Sequence, residues 1–159
     1  MVGEPLVIEF HQDDRDPVVR RMVAMVNNSQ GWINFTPGLD VDVPPPERSL
    51  LTQLFTARGP DVPLATWAPA DGRREPSTIG IQHGQGPRVI ERLDEAGLPL
   101  PIGWRKLQDH PKRGLVCVVP STSSAADLDQ ALAWLLRAGG VLCPVPRTGE
   151  WRALCYRVV

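Results

Sequence analysis

The chain has 159 residues, 42% of them hydrophobic, and a net charge of −1. That length fits one domain, or one domain with an N-terminal extension, and the apolar fraction is enough for a core. A charge so close to zero gives no overall field favouring nucleic acid or an anionic membrane, and leaves only local basic patches.

Met1 to Asp14 (MVGEPLVIEFHQDD) has no basic start and turns acidic at once, which does not fit a signal peptide. No apolar run reaches the ~18 residues a membrane-spanning helix needs. Cys117, Cys143 and Cys155 form no C-x-x-C pair and have apolar neighbours. An odd number of such thiols fits a reducing compartment, so a cytoplasmic location is expected, and the spacing offers no metal site.

Pro5 to Phe10 reads as a buried strand. Asp16-Pro17 marks a helix start, and Val19, Met22, Val23 and Val26 follow at the spacing of one helical face. Gly31 to Thr36 reads as a second strand. Pro37 to Pro46, with four prolines and two acids, reads as an extended loop, and Glu47 to Ala57 as a helix with Leu50, Leu51, Leu54 and Phe55 on one side. Val62 to Pro69 and Ser77 to His83 follow as strands around a polar hairpin loop. A helix is expected over Gly86 to Ala96, a strand over Ile102 to Gln108, a turn over Asp109 to Gly114 and a β-branched strand over Leu115 to Val119. Ser121 to Ser124 caps a further helix with a Leu128, Leu132, Leu135, Leu136 stripe, which Gly139-Gly140 is expected to end. Val141 to Val145 and Trp151 to Val158 read as the last strands, with a turn around Arg147 to Gly149.

The fold class is therefore α+β. From Ser77 onward the element order is β-α-β-β-α-β plus one strand, which is the ferredoxin-like order. Residues 1–76 are expected to form a β-α-β-α-β portion that extends or packs on that sheet, and residues 77–159 the ferredoxin-like domain, unless the whole is one compact unit.

The least ordinary stretch is Gln82 to Arg88 (QHGQGPR) together with Gln108 to Gly114 (QDHPKRG). His83-Gly84-Gln85-Gly86 leaves a strand and opens a helix, where unpaired N–H groups and the positive dipole end favour an anion. Glycine at 84 and 86 lets a ligand approach the backbone. Arg88 in the first turn opposes the dipole, so a bound anion or a nearby carboxylate is expected to offset it. In a ferredoxin-like sheet both stretches share one rim. His83, Gly84, Gly86, Arg88, His110, Lys112 and Arg113 are thus the candidate ligand-binding residues, and a phosphate or carboxylate is the candidate ligand. The same loops also read as ordinary turns.

Three sharper assignments can be weighed from the sequence. A dinucleotide fold is opposed by Val89 at the third glycine position and by the short connection after Asp109, since a parallel crossover needs about a dozen residues. RNA binding on an RRM-like sheet is opposed by the absence of aromatics from the expected central strands, so nucleic acid is disfavoured. Catalysis would rest on His83, His110 and Asp109 as acid–base groups, without a nucleophile elbow or an activated cysteine. The leading reading is a non-catalytic binding module for a small anionic ligand or an acidic peptide, with no cofactor and no membrane. One alternative is a hydrolase or transferase acting on a phosphorylated or acylated substrate. The other is a protein-interaction domain using the Leu50–Phe55 helix and the sheet edges, compatible with a homodimer.

Overall fold

The computed structural model describes residues 2–40, 59–72 and 75–157. Most of the proline-rich stretch and the helix expected over 47–57 lie outside them. The described elements are β1 (Leu6–His11), α1 (Asp16–Asn28), β2 (Trp32–Leu39), β3 (Leu64–Ala68), β4 (Thr78–Gln82), α2 (Val89–Glu95), β5 (Arg105–His110), β6 (Gly114–Val118), α3 (Ala125–Val141) and β7 (Arg147–Tyr156). The protein is α+β: the seven strands form one sheet in the order β1-β7-β2-β3-β4-β6-β5, and every neighbouring pair is antiparallel. Among the described residues no helix is long and apolar enough to cross a membrane.

Each described helix links two strands that point the same way. β7 lies between β1 and β2, and β6 lies between β4 and β5, so β1-α1-β2 and β4-α2-β5 are both split β-α-β units. The third crossover, β6-α3-β7, runs back across three intervening strands. Crossovers between parallel strands are right-handed almost without exception, and with that hand all three helices fall on one face. The burial pattern agrees. Ile33 and Phe35, Ala65 and Trp67, Ile79 and Ile81, Leu115 and Cys117, and Trp151, Ala153 and Cys155 are buried at every second position. They join Val18, Met22, Val89, Leu93, Leu132 and Leu135 of the helices in one core.

The opposite face is held by side chains paired across the ladder. Trp32 stacks on its partner Tyr156 at 5.0 Å, Thr66 donates to its partner Asn34 at 2.9 Å, and Arg152 pairs with its partner Glu9 at 2.8 Å. Such directly opposed pairs each contribute roughly 0.2–1 kcal/mol.

Two expectations about the C-terminal half change. In the ferredoxin-like order the last strand would lie beside β4. Here β4, β6 and β5 are arranged that way, but β2 and β3 lie between β4 and β7. The hairpin of β3 and β4, where the expected boundary near residue 76 falls, thus ties both parts into one sheet. Nor does a strand cover 141–145. Helix α3 runs through Gly139 and Gly140 to Val141, and the chain then turns under Leu142 before β7 begins at Arg147. The glycines serve close packing: a Cβ on Gly139 would come within 3.2 Å of Trp151, and one on Gly140 would meet the Arg147 guanidinium. Pro144 lies within the would-be strand and Pro146 directly after it, and neither has an N–H to give to a ladder.

Helix α2 also starts later than its sequence pattern suggests. Gly86 (φ 84°) and Arg88 (φ 57°) are both left-handed, so regular helix begins only at Val89. At seven residues α2 is about 10 Å long, against about 26 Å for the seventeen of α3. The flank of α3 beyond the end of α2 is therefore lined by the linker Leu98–Trp104 instead of a helix. Trp134 donates to the Pro99 carbonyl there at 3.1 Å and meets Trp104 edge-on at 5.0 Å.

Candidate functional site

The rim singled out in the sequence forms at one end of the sheet, and its carboxylate and two histidines are engaged with backbone N–H groups. The carboxylate of Asp109 accepts from the N–H groups of Val89 (3.2 Å) and Ile90 (3.1 Å). The anion that the start of α2 calls for is thus supplied by the chain itself, from β5, and it offsets both the dipole and the neighbouring Arg88. Arg88, Lys112 and Arg113 are exposed.

His83 is fully buried. Its Nδ1 accepts from the Gln85 N–H at 3.1 Å, which leaves the ring proton on Nε2, where it has no partner among the described residues. Burial lowers its pKa from the ordinary histidine value, Asp109 acts in the opposite direction, and Arg92 lowers it further. Residues 59–61 close over the loop. A Cβ on Gly84 would lie 3.1 Å from the Pro60 carbonyl and 3.2 Å from Asp61, and one on Gly59 would overlap the His83 carbonyl. Gly84 is therefore required by a neighbouring backbone segment, whereas Gly86 is required by its positive φ, with nothing within 4 Å of a Cβ placed there.

His110 follows Asp109 on β5. Because side chains alternate along a strand, it points to the face opposite Asp109 and His83. Its Nδ1 accepts from the N–H groups of both Lys112 and Arg113, each at 3.0 Å. Asp109 and His83 therefore share one face of the rim while His110 lies on the other, and His83 and His110 are not brought together as an acid–base pair. His11, the third histidine, accepts at Nδ1 from the Asp13 N–H at 3.1 Å. All three histidines end or follow a strand and fasten the N–H two residues on, the local bond that makes aspartate and asparagine turn residues.

Cys117 and Cys155 are not activated either. Burial pushes Cys117 up to about 11, with the Asp109 charge acting the same way, and burial also raises Cys155. Among the described residues no group of three His, Cys, Asp or Glu side chains gathers as a cation site.

Among the described residues, open space is found against α3. A cleft of about 450 Å³ is lined by Arg15, Arg137 and Arg147, with Gln12 at its edge and Asp13 as the single acidic side chain among the described lining residues. The start of α1 places Arg15, which bridges to α3: its Nε and Nη2 donate to the two Asp129 oxygens at 2.8 and 3.0 Å, and its Nη1 to the Gln12 carbonyl at 2.7 Å. Arg137 and Gly140 are three residues apart on α3 and share a face. The Arg147 guanidinium lies across Gly140, where an added Cβ would sit 2.6–2.8 Å from its atoms. Among the described residues neither Arg137 nor Arg147 has an ion-pair or hydrogen-bond partner. Both side chains are exposed, and their planar forks suit carboxylate or phosphate oxygens.

Local sequence patterns do not reveal this cleft, because its arginines come from a strand-to-helix turn, a helix and a distant strand. The one available signal was Arg137 standing three residues before Gly140, on the side of the helix away from the leucine stripe. No family model, no curated protein and no solved structure matches the chain.

Proposed function

We propose that the protein is a non-catalytic binding module for a small anionic ligand, held in the arginine cleft between α3, the start of α1 and the start of β7. The observation that carries this reading is the pair Arg137 and Arg147, unpartnered among the described residues and facing one cleft of about 450 Å³. That volume falls within the range of small-molecule sites, about 300–1,000 Å³. Arg15 adds a third guanidinium, but its charge is answered by Asp129, so it defines the wall more than it attracts the ligand. The free thiols at Cys117, Cys143 and Cys155 support placement in a reducing compartment.

A thermal-shift screen over phosphates, nucleotides and carboxylic acids tests the reading. A ligand at about a hundred times its dissociation constant stabilises by roughly 2.7 kcal/mol. Hits are expected, and the double replacement of Arg137 and Arg147 by alanine should abolish the shift while leaving the ligand-free melting temperature within a degree or two. Shifts that persist in the double variant would place the ligand elsewhere and remove this function from the cleft.

A further inference from the structure

The anionic ligand also has an apolar part, we infer, an aromatic ring or a short acyl chain, seated in a second cleft that adjoins the first. This rests on the reading above and specifies the ligand class. The second cleft, of about 560 Å³, runs along the flank of α3 that the short α2 does not cover. Its walls include Trp104, Trp134, Pro101, Ile102, Val119 and Pro120.

The two clefts adjoin. Ala133 and Arg137 line both of them. Four residues apart on α3, they form a single ridge between the spaces. The small Ala133 keeps that ridge low, and Arg137 stands where a ligand crossing it would pass. A molecule lying over Ala133 would reach the guanidinium groups of Arg137 and Arg147 with one end and the tryptophans with the other.

Charge fixes its direction. The apolar cleft also contains Asp127, whose backbone N–H donates to the hydroxyl of Ser124, the cap of α3, and whose carboxylate accepts from the Thr122 hydroxyl at 3.3 Å. A carboxylate or phosphate placed there would be repelled, so the anionic end belongs over Arg137 and Arg147. Ile102 supports an apolar occupant. It is fully exposed at the tip of a turn made by Gly103 (φ 88°), beside the tryptophan pair. A whole isoleucine held in water at the mouth of an aromatic cleft gains burial when an apolar group enters.

The experiment uses the full chain and three probes: inorganic phosphate, 2-naphthyl phosphate and 2-naphthol, titrated by calorimetry. The naphthyl phosphate is expected to bind at least about tenfold more tightly than phosphate, as burial of even part of its ring system requires. Trp104→Ala and Ile102→Ser should remove that advantage and leave phosphate binding unchanged. Ile102 touches no core, so its replacement leaves the fold intact if Trp104→Ala does not. Arg147→Ala should weaken both anions. Equal affinity for phosphate and naphthyl phosphate, or an advantage that survives both apolar replacements, would overturn the inference while leaving the anion site standing. Naphthol binding as tightly as naphthyl phosphate would also overturn it, since the clefts would then act separately. If neither anion binds, both this inference and the function beneath it fail.

Discussion

Removing the Asp109 carboxylate should loosen α2 before anything else. The two bonds it accepts, at 3.2 and 3.1 Å, go to the first two amides of the helix, and both are charge-assisted. Loss of a capping side chain costs typically about 1 kcal/mol. The carboxylate's favourable position at the positive end of the helix dipole adds about 0.3–1 kcal/mol. Asp109→Ala should therefore cost about 2 kcal/mol, which for a chain of this size lowers the melting temperature by about 4–8 °C. Asp109→Asn keeps one acceptor oxygen and loses the charge, so about half of that cost is expected. Chemical denaturation of the three proteins gives the totals. Amide hydrogen exchange gives the location: Val89 and Ile90 should exchange faster in Asp109→Ala, while amides of α3 change only by the global loss. An unchanged exchange rate at Val89 and Ile90, or an alanine variant as stable as wild type, would refute the assignment of Asp109 as the cap of α2.

Three further outcomes follow from the same geometry. His83 has a folded-state pKa lowered by burial, so the unfolded chain takes up its proton first. Its neutral form thus stabilises the fold fully above the ordinary value of about 6.5, and that contribution is lost as pH falls below it; His83→Asn, whose Oδ1 can still accept from Gln85, should flatten the loss between pH 7 and 5 in denaturant titrations. Gly140→Ala should leave stability unchanged or raise it by up to about 1 kcal/mol through helix propensity, because the Arg147 end in its way is flexible, yet it should weaken anion binding by displacing that guanidinium. The hydrogen bonds from Arg15 hold the Asp129 carboxyl below its ordinary range, so the pair contributes above about pH 4 and is lost as pH falls further; solvent screening at these part-exposed groups limits the coupling in a double-mutant cycle to about 0.5–1 kcal/mol.

How much of this was legible in the sequence depended on the range of the interaction. Short apolar and β-branched runs bounded by turn residues placed β1, β3, β4 and β6 to within two residues. Helix α1 followed from Pro17 and its apolar face, and Ser124 acts as the expected cap of α3. Local rules misled where a distant partner decides the outcome. Gly139-Gly140 has the form of a helix stop, but Trp151 and Arg147 from β7 occupy the space a side chain would need. The placement of β7 between β1 and β2 is a pairing across almost the whole chain, and no local pattern encodes it. The histidines drew attention as possible acid–base groups, whereas each is fastened to a backbone N–H at a strand end. The rim was legible because strand ends and glycines mark it locally. The two clefts were not, since Arg15, Arg137 and Arg147, like Trp104 and Trp134, meet only through the packing of α3 against its neighbours.

The most direct test of the account is to observe the arginine side chains themselves. In ¹⁵N-labelled protein the Nε–Hε signals of Arg15, Arg88, Arg113, Arg137 and Arg147 can be assigned by single replacements and followed as inorganic phosphate is added. The account predicts saturable shifts at Arg137 and Arg147 with little change at Arg88 and Arg113. Shifts confined to Arg88 and Arg113 would return the ligand to the rim beside His83, and the absence of any saturable shift would contradict anion binding by this protein.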